Sequence, residues 1–354
     1  MASDAIYHHL IPQTYMKPWC FSGQTLWAYN KAKNEWKERN IENICGINYF
    51  HSIRANSLYV TSAALAEIWG FLDAYHISLD GVPLDTHEKL HTAYPSFDNW
   101  EILYPSGSRV NKAQRNVIKE TIKQAKYNEI EEQWSIQFEN GWANLIAEIS
   151  QAIADIRGNK PVMLTSRASS ELMKYLVMFD WRSFSGNKQF NDAFQWVDSI
   201  FPFSSSVVPK QERVLATYDN ALENMKHELL VKEFDDFQSG RGVMFTQLKA
   251  WEKHCTIMFL LPPKGSNFIT SDNPCFTFVD KNGCKEPFFV ALPQLAIVLI
   301  QKDPHVPNSY FIRELTESEL VEYNTQVFNF ADNLVLNNTQ FDVSQYLKPD
   351  ENSN

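Results

Sequence analysis

The sequence contains no Cys-x-x-Cys pair, no apolar run long enough to span a bilayer and no excess of basic charge. Each gap sets aside a class of protein. The five cysteines, Cys20, Cys45, Cys255, Cys275 and Cys284, are scattered and odd in number, which argues against a zinc ribbon and reads as reduced thiols of the cytoplasm. The opening "MASDAIYHHLIPQ" lacks the basic and then apolar order of a secretory signal. The most apolar stretch, 288–300, is broken by Pro293 and Gln294 and falls short of the about 20 residues a membrane helix needs. A net charge of -10 argues against a general nucleic-acid coat, which would carry clustered Lys and Arg. A local basic groove stays open, because whole-chain charge says little about one face. The expectation is a soluble, cytoplasmic protein without a membrane partner.

Local catalytic motifs are scarce as well. "QSGRGVMF" (238–245) has Gly240 and Gly242 but neither GKS nor GxGxxG, so it reads as a helix connection rather than a phosphate loop. No GxSxG elbow occurs, and Cys275 reads as a packed thiol. "HEKLH" places His87 and His91 on one helical face but lacks the HExxH order. No internal repeat is visible.

What is present is a globular balance, 44% apolar and 21% charged, with 24 Phe that favour a ring-rich core. Residues 25–40 read as a β-hairpin turning around Lys33-Asn34. Helical spacing appears over 61–78, over 112–156 as two helices, over 166–184 from a cap near Ser169 or Ser170, and over 211–233. From about 252 to 300 the chain breaks into short β-rich runs, and a closing helix over 316–332 leads into a short strand. The fold expected is α+β: central helices, an N-terminal β-hairpin and a small C-terminal antiparallel sheet. The organisation expected is one composite domain over 1–350, with an N-terminal part to 50, a helical middle at 60–250 and a frayed tail.

Two segments carry a family pattern. "HHLIPQTYMKPW" holds His9, Pro12, Gln13, Tyr15, Met16 and Trp19, and "NFITSDNPCF" holds Asp272, Asn273 and Pro274. Together they resemble the bacterial and fungal family called domain of unknown function 4238. That family opens with His-x-x-Pro-Gln-x-Tyr-Leu-x-x-Phe, so here Met replaces Leu and Trp replaces Phe. "WSIQFENGWANLIAEI" is similar to its helix with an acid at Glu139. "MKYLVMFDWRSF" is similar to its segment with a lone Arg at Arg182, followed here by Ser183-Phe184 where Thr-Pro is common. "VEYNTQVFNFADNLVLNN" resembles its closing helix with Asn324. Some members occur as anti-phage genes, so the resemblance implies a defence role while leaving the chemistry open.

The polar set His9, Gln13, Tyr15, Glu139, Arg182, Asp272 and Asn273 comes from distant parts of the chain, mostly in apolar surroundings. Buried charges must find partners. On a structural reading Arg182 bridges Glu139 or Asp272, His9 bonds a carbonyl, and Asp272-Asn273-Pro274 turns the chain. On a functional reading the set lines a cleft. His9 moves a proton, Arg182 holds phosphate, Asp272 orients His9, and Gln13, Tyr15 and Asn273 position substrate. That arrangement suits phosphodiester cleavage of RNA or a nucleotide without metal. A divalent cation held by Glu139, Asp272 and His9 is the alternative. Adjacent His8 and His9 point to opposite faces of a strand, so one site receives at most one of them. Trp134, Phe138 and Trp142 at helical spacing read as core before a base-stacking platform. A non-catalytic sensor of a phage component and a nucleotide-binding domain without turnover remain alternatives.

Overall fold

A computed structural model of the chain describes residues 6–154, 161–162, 164–183, 186–279, 283–303 and 310–346. The tail expected to fray, 348–354, lies outside the described residues. Helices and strands mix as an α+β chain, and two compact units form. One is drawn from segments within 1–8, 48–133 and 193–239, the other from segments within 9–47, 134–192 and 240–354.

The second unit holds both predicted sheets. The hairpin pairs Thr25–Asn30 with Glu35–Asn40, and Asn34 turns it with a φ of 51°, a left-handed conformation that Asn tolerates. Thr25–Asn30 also pairs with Leu334–Asn337, which pairs in turn with Thr270–Ser271. One four-stranded sheet therefore joins residues from both ends of the sequence. The six-stranded sheet runs in the order Pro161–Val162, Tyr310–Glu314, Cys255–Leu261, Leu295–Gln301, Lys285–Leu292, Cys275–Val279. Its pairs are antiparallel except Cys255–Leu261 with Tyr310–Glu314. Pro293 and Gln294, which interrupt the long apolar run, are the tight connection between two of its strands.

Helices Asn140–Ala154, Ser166–Arg182, Gly242–His254 and Glu317–Phe330 complete this unit. The last starts with a capping box, in which Thr316 and Glu319 each satisfy the other's backbone N–H. At the core, the Tyr15 ring lies 4.9 Å from Phe179 and 6.0 Å from Trp142, and Phe289 lies 4.8 Å from Phe179. Each such ring contributes about 1.5–3 kcal/mol by burial. The cluster ties the N-terminal motif, two helices and the sheet into one core. Trp134 and Trp142 are buried, so they are core as their spacing predicts.

The first unit contains the antiparallel sheet of His76–Leu79, Val82–Pro83 and Glu101–Leu103 and the pair of Ile53–Arg54 with Lys126–Tyr127. Around them stand helices Ser62–Trp69, His87–Thr92, Lys112–Gln124 and Ala221–Gln238. Trp69 and Trp100 are fully buried with their rings 5.9 Å apart.

Several boundaries differ from the periodicity. The helix expected over 61–78 ends at Trp69, because Gly70 opens a 3-10 turn and His76–Leu79 pairs as a strand. The stretch 112–156 is not two helices: the strand Lys126–Tyr127 divides it. Beyond lie the short helix Glu129–Trp134, a π-helical turn Ser135–Glu139 and Asn140–Ala154. The helix expected to start near Ser169 begins at Ser166, where Thr165 accepts the Ala168 N–H. The helix expected from 211 begins at Ala221 under an Asn220 cap, after a separate 3-10 turn Lys210–Glu212. Helices Lys188–Ile200 and Gly242–His254 fill parts of the helical middle that the apolar spacing had not singled out. Among the described residues, no helix is long and apolar enough to cross a membrane.

Candidate functional site

The strand Tyr7–His9 delivers the N-terminal motif, and its alternation buries His8 while His9 is half-buried. The two histidines thus serve different surroundings. His9 Nε2 lies 3.2 Å from the Ile41 carbonyl, and the His9 carbonyl accepts a hydrogen bond from Arg182 Nη2. Arg182, at the last turn of Ser166–Arg182, is fully buried. Its guanidinium lies 3.9 Å from Glu139 and 4.9 Å from the Trp134 ring centroid. The buried Arg182 therefore holds together the half-buried Glu139 and the His9 backbone. The structural reading expected Arg182 to bridge Glu139 or Asp272; the structure supplies Glu139.

Gln13 sits half-buried on the turn Gln13–Met16. Tyr15, two residues on, is completely buried. Its hydroxyl lies 2.6 Å from Thr270 Oγ1 and donates to the Val290 carbonyl at 2.6 Å. Burial drives its pKa well above the usual tyrosine value, so it remains a neutral anchor.

The Ser271-Asp272-Asn273-Pro274 turn follows the strand Thr270–Ser271. Ser271 Oγ donates to the Asn273 carbonyl, and Asn273 Nδ2 donates to Phe330 O at 3.0 Å. Asp272 is nearly buried and accepts three backbone N–H bonds: Asp332 on Oδ1 at 2.9 Å, Asn333 and Leu334 on Oδ2 at 2.9 and 3.0 Å. Its own N–H donates to the Leu334 carbonyl. The turn expected from the sequence is real, and it locks onto the chain leaving the closing helix. Burial foremost, and then the Asp332 charge, push the Asp272 carboxyl up to about 7, against the three N–H donors.

Asp272 also faces a cavity of about 160 Å³, lined by Leu10, Cys45, Gly46, Ile47, Asp272, Asn333 and Leu334. Its walls include both family motifs, through Leu10 and Asp272. Cys45 holds a left-handed φ of 56°, unusual for a side chain of this kind, while its carbonyl accepts the Leu10 N–H at 2.7 Å. Burial, and then Asp272, raise its thiol pKa well above the ordinary value, so Cys45 is no thiolate nucleophile. His9, Arg182 and Glu139 do not line this cavity.

A second cluster lies in the other unit, and no local spacing signals it. His8 and His51 are fully buried, their rings stacked 5.6 Å apart, and both Nδ1 atoms approach Glu131 Oε2, His8 at 3.9 Å. Among the described residues this is the set of metal-ligating side chains whose donor atoms converge. Glu139, Asp272 and His9 form no such set there. His51 and Glu131 escaped the sequence reading because "YFHSI" and "NEIEE" share no spacing rule. The alternation argument that sent His8 away from His9 was the one usable signal. "HEKLH" resolves into separate roles: His87 bonds Asp73 at 2.8 Å, while the His91 ring lies 6.2 Å from that of Trp69.

The chain has no match among curated proteins or solved structures. The model of the family described as protein of unknown function (DUF4238) matches residues 7–341, nearly the whole chain, including the His9, Arg182 and Asp272 segments. The protein belongs to this family.

Proposed function

We propose that this protein is a hydrolytic effector of phage defence, cleaving phosphodiester bonds in RNA or nucleotides, with Asp272 as its proton-transfer group. The observation that supports the reading is the Asp272 carboxyl, held near 7 on the wall of a cavity built by the two family motifs. A general acid or base works best when its pKa lies near the operating pH. At about 160 Å³, against about 300–1,000 Å³ for ordinary ligand pockets, the cavity admits a phosphate-sized group and a water, not a nucleobase. In this reading Arg182 acts indirectly: by holding the His9 carbonyl it fixes the backbone beside Leu10, part of the cavity wall.

The test is incubation of purified protein with total RNA, tRNA, DNA and nucleotides, with EDTA or with Mg²⁺ or Mn²⁺. The reading expects product formation that Asp272→Asn abolishes while circular dichroism shows an intact fold. Full turnover by a folded Asp272→Asn protein would sink it.

A second reading rests on a different observation. Trp196, Ile200, Phe201 and Val207, close together in sequence, are exposed at 67, 50, 59 and 77%. A non-catalytic sensor of a phage component would use such a surface. If Trp196→Ala abolishes protection of cells from phage while Asp272→Asn leaves it intact, this reading replaces the first.

A further inference from the structure

We propose that His8, His51 and Glu131 form a binding site for a divalent transition-metal ion of the zinc type. Their donor atoms lie within 4.8 Å of one another, and each residue comes from a different segment: the first strand, the Tyr49–Ser52 turn and the helix Glu129–Trp134. Two imidazoles and a carboxylate match the ligand preferences of zinc and its neighbours, whereas magnesium and calcium prefer oxygen alone.

The spacing fits a closing site. Bonds of about 2.0–2.2 Å in tetrahedral geometry separate neighbouring ligand atoms by roughly 3.3 Å. His8 Nδ1 stands 3.9 Å from Glu131 Oε2, and His51 Nδ1 lies closer to the same oxygen. Small side-chain rotations bring both pairs to the required separation. Two hydrogen bonds must yield: the His51 backbone N–H now donates to His8 Nδ1 at 2.9 Å, and the proton shared between His51 Nδ1 and Glu131 Oε2 must leave before both atoms can face an ion. Metal binding therefore exchanges these hydrogen bonds for coordinate bonds and releases a proton to solvent.

The surroundings hold the ligands in place. His227 Nε2 donates to the Phe50 carbonyl at 2.9 Å, fixing the residue before His51. Burial depresses the His227 pKa to about 3, so that ring stays neutral and adds no repelling charge. Ser52 Oγ donates to Asn128 Oδ1 at 2.6 Å, tying the residue after His51 to the start of the Glu131 helix. Supports of this kind orient metal ligands and tune affinity. The two histidines are sealed, while the Glu131 side chain is 12% exposed, so solvent reaches the site from that side.

The test uses full-length protein purified without a polyhistidine tag, stripped with chelator and re-titrated with Zn²⁺, Co²⁺ and Mg²⁺. The expected result is about one Zn²⁺ per chain by elemental analysis, and a melting temperature raised by Zn²⁺ but not Mg²⁺. Co²⁺ should give the visible absorption of a tetrahedral site. Glu131→Gln, checked for fold by circular dichroism, should weaken Zn²⁺ binding roughly tenfold or more, while His87→Gln leaves it unchanged. Metal well below one equivalent in the wild type, or equal affinity in folded Glu131→Gln, would overturn the proposal. Asp272→Asn should leave metal content unchanged, so this site and the proposed hydrolytic activity stand or fall separately.

Discussion

Asp272 carries two opposing influences, and a pH series separates them. Its carboxylate accepts three backbone N–H bonds, which favour the charged form, yet burial and Asp332 push its pKa to about 7 in the folded protein. A carboxyl raised above its unfolded value of about 3.9 binds a proton more tightly when folded. Its stabilising contribution is then full below pH 4 and is lost as pH rises through 7. Three pKa units at about 1.4 kcal/mol each give a decline of roughly 4 kcal/mol between pH 4 and 7. Asp272→Asn cannot titrate. It also puts an amide N–H₂ against backbone donors, costing about 1–3 kcal/mol at every pH. The constant cost cancels in the pH dependence. Urea unfolding of both proteins from pH 3 to 8 should therefore show the wild-type advantage shrinking as pH rises from 4 to 7. An advantage that grows as pH rises from 3 to 5 would mean that the N–H donors win and hold Asp272 ionised. That result would remove the near-neutral pKa on which the proton-transfer role rests, because a carboxylate ionised throughout has no proton to donate and is only a weak base.

Two further outcomes follow from the anchors. Tyr15→Phe keeps the ring cluster but removes the hydroxyl bonds to Thr270 and Val290, so it should lower stability by about 1–2 kcal/mol in thermal unfolding. If stability is unchanged and turnover falls, Tyr15 positions substrate instead. Arg182→Ala removes a fully buried side chain and leaves the His9 carbonyl without its Arg182 donor, while the half-buried Glu139 keeps access to water, and should cost about 2–3 kcal/mol in urea unfolding. A folded variant of near wild-type stability would show that the Arg182 contacts are not structural.

Local sequence determined the parts that depend on local physics. The hairpin around Lys33-Asn34 is legible because Asn accepts a left-handed φ. The short strands after 252 are legible from β-rich runs between Pro, Gly and Asn. The Asp272-Asn273-Pro274 turn is legible from turn chemistry. Helix ends were not, because Gly70 and the strand Lys126–Tyr127 cut apolar periodicities that continue on paper. The family patterns pointed to His9, Arg182 and Asp272 but could not say which touch. Only the tertiary structure joined Arg182 to Glu139 and the His9 carbonyl, set Asp272 against 332–334, and put Leu10 beside Asp272 on one cavity. Likewise, only it brought His8, His51 and Glu131 together. The physical reason is common to all of these. A side chain's partner across 40 to 260 residues is chosen by sheet register and core packing, and neither leaves a spacing in the sequence to be read.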